Sequence, residues 1–184
     1  FVADLGRNAI FEYKKDTHKY KLVSESIVPM ETNSGPRHFV LSGNGDFMHT
    51  INEYANTVTS IQRKNNEFKL LGHTSTLKSD FSGTSVGADI HLSKNEQYLY
   101  ASNRGENSIV VFKRDITTGK LQKIQTASVQ GNWPRNFTLS PNGKFLLVAN
   151  KKSNTISIFK INNVSGKLTF LNKLSIPSPV NLLF

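Results

Sequence analysis

This sequence predicts an all-β fold of repeated four-stranded antiparallel blades, a β-propeller, on three observations. Its apolar runs are four to six residues long, rich in Phe, Val, Ile and Leu, and are bounded by Pro-Asn-Gly and Ser-Asn turn chemistry. The pattern of strand, tight turn, strand, tight turn, strand from Asn132 to Phe159 recurs at Pro36–Ile61 and at Ala88–Phe112, and a copy without its first strand opens the chain at Phe1–Tyr13. The residues that end the second strand of each copy, Asp4, Asn52, Asn103 and Asn150, are 48, 51 and 47 residues apart. A period in that range marks a stacked or circular array, and a β-sandwich would not repeat the same turn residues at a fixed interval.

Taken in order, the blades are expected at about 1–33, 34–85, 86–131 and 132–176, within a single propeller domain 1–184. The first lacks its opening strand and continues to a fourth strand near Tyr20–Val28. The second begins at Ser34-Gly35-Pro36, ends with a fourth strand at Phe68–Gly72, and is followed by the longest irregular connection, Thr74–Ser85. The third starts near Val86-Gly87 and carries a hairpin signal at Asp115–Gly119. The fourth repeats that signal at Asn162–Gly166. Residues 177–184 resemble another first strand and are expected to act as a closing strand. The chain starts at a second strand and ends at a first one, an offset that lets a terminal strand complete the opening blade.

Composition narrows the classes. With 37% apolar and 20% charged residues the chain can bury a core, and no apolar run approaches the length of a membrane span. The absence of cysteine excludes disulfides, a thiol nucleophile and a thiolate metal site. The five histidines are scattered, with His49 and His91 read as strand-packing or solvent-facing residues, and no metal-ligand spacing or serine elbow is present, so no cofactor is implied. A net charge of +10 favours anionic partners, although Lys14, Lys15, Lys64, Lys69, Lys113, Lys120, Lys160 and Lys167 flank outer strands, where they keep exposed edges soluble. No basic cluster interleaves with aromatics as a nucleic-acid groove would require. Glycosylation-type triplets occur at Asn136-Phe137-Thr138 and Asn163-Val164-Ser165.

Strand direction then locates a site. The connection entering the first strand and the turn between the second and third lie on one face of the ring, and the first strand runs nearest the axis. One channel mouth is therefore expected to be rimmed by Arg37 and His38, Asn52 and Glu53, Asp89, Asn103 and Arg104, Arg135 and Asn136, Asn150 and Lys151, and Asn181. Three Arg and one Lys against two carboxylates make a poor set of turn residues and a good anion pocket. Asn52, Asn103 and Asn150 are expected to bond the backbone of their own turns.

The segments Val2–Gly6, Gly35–Phe39, Ile51-Asn52-Glu53, Tyr100–Gly105, Trp133–Phe137 and Pro177–Val180 together resemble the lactonase family of seven-bladed propellers, which includes a 6-phosphogluconolactonase and carboxymuconate-cyclising enzymes. The resemblance covers essentially the whole chain and matches the C-terminal four blades of proteins about twice as long. It implies an active set of a His, two Arg and a Glu. Arg37 and Glu53 match the first Arg and the Glu, Arg104 matches the second Arg with Arg135 as competitor, and the His falls shortly before Phe1. The resemblance thus gives Glu53, Arg37 and Arg104 catalytic roles, while His38, Asp89, Arg135 and Asn136, placed on the rim by strand direction, are expected to bind substrate.

The chemistry agrees with such a set. A carboxylate can serve as general base for water attacking an ester carbonyl, while guanidinium groups hold an anion and stabilise the oxyanion. A lactone is already a reactive ester and needs no covalent nucleophile. The expected function is hydrolysis of a sugar lactone, 6-phosphogluconolactone foremost, in the pentose phosphate route. The alternatives are a non-catalytic binding propeller and a carboxymuconate-type lactone cyclase. A small anionic lactone is the expected partner, with neither nucleic acid nor membrane. Open blade edges predict self-association. The compartment is cytoplasmic for a bacterial-type lactonase, with secretion left open.

Overall fold

The computed structural model describes residues 1–184 and contains strands and turns without a helix. The first blade is three-stranded, with β1 (Val2–Asp4), β2 (Ala9–Asp16) and β3 (Lys19–Ser24). The second is β4 (Pro36–Leu41), β5 (Phe47–Asn52), β6 (Thr57–Lys64) and β7 (Glu67–Ser75). The third is β8 (Val86–Leu92), β9 (Tyr98–Arg104), β10 (Ser108–Arg114) and β11 (Leu121–Ser128). The fourth is β12 (Pro134–Leu139), β13 (Phe145–Asn150), β14 (Thr155–Ile161) and β15 (Leu168–Ser175). Each sheet pairs its strands in chain order and antiparallel. This is a partial β-propeller.

The blades pack face to face, so the core lies between them. Ile10, Ile27, Val28, Met48 and Ile61 fill the first interface. Ile51, Val58, Ile90, Leu99, Ala101, Val110 and Phe112 fill the second, and Tyr100, Ile109, Val111, Phe137, Leu146, Val148 and Phe159 dominate the third. The middle strands β5, β9 and β10 are buried along almost their whole length. The first strands β4, β8 and β12 lie against one another and wall the inner side.

A hairpin clasp joins successive blades. The β10–β11 hairpin ends at Gly119, whose φ is +69° and whose hydrogen faces the Phe47 ring of the preceding blade, where a Cβ would collide with it. The β14–β15 hairpin repeats the device: Gly166, also at φ +69°, sits on Tyr98. The Tyr98 hydroxyl donates to the Val164 carbonyl and that of Tyr100 to the Gly166 carbonyl at 2.9 Å. Phe145 holds the same place in the fourth blade, has no hairpin on it, and is 37% exposed.

A second link joins blades two and three. The Arg114 Nε–H donates to His49 Nε2 at 3.1 Å, and the ring's Nδ1–H donates to Ser60 Oγ at 2.9 Å. Burial first, and the Arg114 charge second, lower the His49 pKa to about 3, so the imidazole is a neutral acceptor. His49 is thus an internal hydrogen-bonding residue rather than a solvent-facing one.

The expected closing strand, residues 177–184, lies past the last sheet. It pairs with none of the fifteen strands of this chain. The segment nevertheless takes the path of a first strand: the Leu182 N–H donates to Asn136 Oδ1 at 2.7 Å, as the Phe137 N–H does to the Asp89 carboxylate one blade earlier.

Two outcomes are expected. Gly119→Ala combines a left-handed backbone with overpacking against Phe47 and should lower unfolding stability by about 1–3 kcal/mol in a denaturant titration. The depressed His49 pKa makes the unfolded chain bind more protons below the ordinary histidine value of 6.5, so stability falls as pH drops from 6.5 toward 3. His49→Gln should flatten that pH dependence by up to about 1.4 kcal/mol per pH unit, measured by unfolding at stepped pH.

Candidate functional site

The site begins with a backbone irregularity. In β4 the ladder to β5 pairs Pro36 with Asn52 and then His38 with Ile51, skipping Arg37. In β12 it pairs Pro134 with Asn150 and then Asn136 with Ala149, skipping Arg135. These equivalent bulges lift Arg37 and Arg135 out of the ladder at the mouth end of the inner strands, a re-aiming that bulges commonly perform beside functional sites. The β5–β6 turn is folded back over the same point, with the Glu53 N–H donating to the Gly35 carbonyl at 2.7 Å.

Glu53 and two arginines form the first cluster. Arg37 Nε lies 2.9 Å from Glu53 Oε2, and Arg104 Nη2 lies 3.0 Å from Oε1. Arg104, at the end of β9, is buried and also donates from Nη2 to the Gly87 carbonyl at 2.7 Å. Its Nε–H is buried without an acceptor. Arg37 donates from Nη1 to the Ala88 carbonyl. Burial, and then the Arg104 charge, make the protonated Arg37 less favourable than an ordinary arginine, with Arg135 adding to the effect and Glu53 opposing it. The mouth therefore holds more positive charge than its carboxylates neutralise.

Asp89 organises the second cluster. It is 3% exposed and accepts at Oδ1 from His38 Nδ1–H at 2.8 Å and from the Ile90 N–H at 3.0 Å. At Oδ2 it accepts from Asn136 Nδ2–H at 2.6 Å, the Phe137 N–H at 3.1 Å and His91 Nε2–H at 3.2 Å. Burial alone would raise the Asp89 pKa, but the His38 and His91 hydrogen bonds together with the Phe137 N–H outweigh it and hold the carboxyl far below the usual range. His38 Nε2 in turn lies 3.2 Å from Arg37 Nη1, which joins the two clusters.

All seven residues predicted from sequence as site residues lie around this mouth. Arg37, Glu53 and Arg104 meet directly, His38, Asp89 and Asn136 meet directly, and Arg135 is half-buried with no carboxylate partner. Asn136 has its amide nitrogen on Asp89 and its oxygen on the Leu182 N–H. Asn52 and Asn150 are buried and donate to hydroxyls of their own third strands, Thr59 and Ser157, rather than to turn backbone. Asn103 reaches Ser108 and Thr76. Sequence reasoning missed His91, which period-2 alternation places on the same face of β8 as Asp89, and it assigned no role to Trp133 or Lys152. Trp133 lies beneath two cations, with Lys152 Nζ 3.4 Å and the Arg104 guanidinium carbon 5.5 Å from the ring centre.

A family model described as lactonase, seven-bladed β-propeller matches residues 1–184. The chain belongs to the lactonase propeller family. Staphylococcus aureus proteins without an assigned activity are 32% identical over 138 residues, covering 75% of this chain and 40% of theirs. Among solved structures, a Pseudomonas aeruginosa periplasmic gluconolactonase has a TM-score of 0.80 at 32% identity, covering 84% of this chain and 43% of that one. A Bacteroides uniformis protein described as a candidate 6-phosphogluconolactonase has a TM-score of 0.87 at 31% identity, covering 96% and 51%. This lactonase-family chain thus spans about half the length, or less, of the relatives it matches.

Asp89→Ala in this lactonase propeller removes the acceptor for five donors from three blades. It should cost about 3–5 kcal/mol of unfolding stability. The wild-type contribution is present above the unfolded carboxyl value of 3.8 and is lost as pH falls below it toward the depressed folded value, so in acid the two proteins should converge in denaturant unfolding.

Proposed function

We propose that this lactonase propeller is a hydrolase that opens a sugar lactone, 6-phosphogluconolactone to 6-phosphogluconate, by general-base attack of water in the basic mouth. The observation that carries the reading is the Glu53 carboxylate held between the Arg37 and Arg104 guanidinium groups, 2.9 and 3.0 Å away, beside an unpaired Arg135. The names of the gluconolactonase and candidate 6-phosphogluconolactonase neighbours, at 32% and 31% identity, lend it support. The product would enter the pentose phosphate route.

Each Glu53 oxygen accepts one guanidinium N–H and keeps a lone pair for a water molecule. That water attacks the lactone carbonyl carbon, forming the new C–O bond as its proton passes to Glu53. The carbonyl oxygen becomes an oxyanion, which Arg37 Nη2, engaged by neither Glu53 nor Ala88, stabilises. Collapse breaks the ring C–O bond, and the proton on Glu53 passes to the departing alkoxide. His38, held by Asp89 and 3.2 Å from Arg37 Nη1, keeps that arginine in place.

A second reading, a non-catalytic anion-binding propeller, draws on the same double pairing, since both Glu53 oxygens already carry a cationic donor. The two readings part on Glu53→Gln. Hydrolysis of 6-phosphogluconolactone and glucono-1,5-lactone, followed by acid release at constant pH, should drop about 10²–10⁴-fold in kcat with the fold retained. Ligand binding without turnover, unaffected by the substitution, would favour the binding module.

A further inference from the structure

The inner-strand entries of blades two and four are copies of one another, Gly35-Pro36-Arg37-His38-Phe39 and Trp133-Pro134-Arg135-Asn136-Phe137, and they share a backbone. Gly35 has φ +65° and Trp133 has φ +66°. A left-handed conformation is free for glycine and a genuine outlier for a bulky aromatic residue. The Trp133 backbone is pinned in it from both sides: its N–H donates to Asn107 Oδ1 at 2.8 Å, and its carbonyl accepts from the Lys151 N–H at 3.1 Å. The facing turn has changed in step. In blade two Tyr54 lays its ring over Gly35, so that a Cβ there would strike it, while the equivalent position in blade four is Lys152. An aromatic over a glycine has been exchanged for a lysine over a tryptophan.

The exchange changes the chemistry of this side of the mouth. Lys152 Nζ sits 3.4 Å from the indole centre, with no carboxylate partner, and Arg104 approaches the same ring at 5.5 Å. Arg104 directs Nη2 to Glu53 and Gly87, which leaves Nη1 and the buried Nε without protein acceptors. Arg135 follows Trp133 by two residues and has no acidic partner. Around Glu53 and Trp133, therefore, the four cations Arg37, Arg104, Arg135 and Lys152 face the single carboxylate of Glu53, because Asp89 is taken up by His38, His91 and Asn136. Residual positive charge gathered by an aromatic face suits a dianion better than a neutral polyol.

Resting on the lactonase reading, we infer that Trp133 is the positioning residue of a second anion subsite, where the indole holds Lys152 and Arg104 beside Arg135 to grip the phosphate of a phosphorylated sugar lactone. The left-handed Trp133 backbone sets its π-face against both cations, and strain of this kind collects at ligand clamps. The subsite makes the protein prefer a phosphorylated over an unphosphorylated ligand of the same skeleton.

The test compares 6-phosphogluconate with gluconate by titration calorimetry on the full chain. Trp133 is its single tryptophan, so indole emission is a parallel readout. Wild type should bind 6-phosphogluconate at least tenfold more tightly than gluconate and change its emission with the former. Trp133→Gly, which suits φ +66°, should bring that ratio close to one while leaving the melting temperature equal or higher, and Lys152→Met should lower the ratio with the indole in place. A ratio unchanged in both variants overturns the subsite, as does a lowered melting temperature in Trp133→Gly with equal loss for both ligands, which marks a merely structural residue. Failure of the lactonase reading looks different: no lactone is opened, yet the phosphate preference and its loss in the variants remain.

Discussion

The interaction on which this structure most depends is the buried Asp89 carboxylate and the five donors that converge on it. Blades touch through apolar faces, and apolar contact fixes neither rotation nor height of one blade against the next, because it is not directional. Asp89 supplies direction. His38 reaches it from the second blade, His91 and Ile90 from its own, and Asn136 and Phe137 from the fourth, all on inner strands. A charge so deeply buried is tolerable only when its hydrogen bonds are complete, so any relative slip of these strands carries a large penalty.

That constraint delivers the mouth. With β4, β8 and β12 in register, the bulges at Arg37 and Arg135 come out at the same height, and Glu53 arrives on the β5–β6 turn and Arg104 at the end of β9. The hairpins ending at Gly119 and Gly166 perform the matching task at the opposite end of each blade, where their carbonyls and missing side chains receive Phe47, Tyr98 and Tyr100. One end of the interface is polar and directional and the other is steric. Charge is concentrated at the polar end, because there the repeated copies bring different charged side chains into one small volume.

Repetition also explains how the site departs from symmetry. His38, Asp89 and Asn136 occupy equivalent positions in three blades, as do Arg37, Ala88 and Arg135, and Gly35 and Trp133. The scaffold needs a donor or acceptor at the first of these positions to stitch neighbours together. It leaves the second and third to vary, and there the blades have become unlike one another, with arginine in two copies and a tryptophan in a glycine's place.

Sequence alone determined the blade repeat, its turns, the hairpins and the residues that gather at one mouth, since these follow from local turn chemistry, strand periodicity and the alternating direction of antiparallel strands. The seven predicted site residues lie around that mouth for the same reason: topology assigns each to an end of a strand. Which partners they take was decided only by tertiary structure. Nothing in the local sequence tells that Glu53 is shared by two arginines from different blades, that Asp89 rather than a turn asparagine carries the network, that His91 joins it, or that Trp133 lies under Arg104 and Lys152. Pairing between residues fifty positions apart depends on how one blade is seated on the next, and that is fixed by the sum of the packed faces rather than by any segment of the chain.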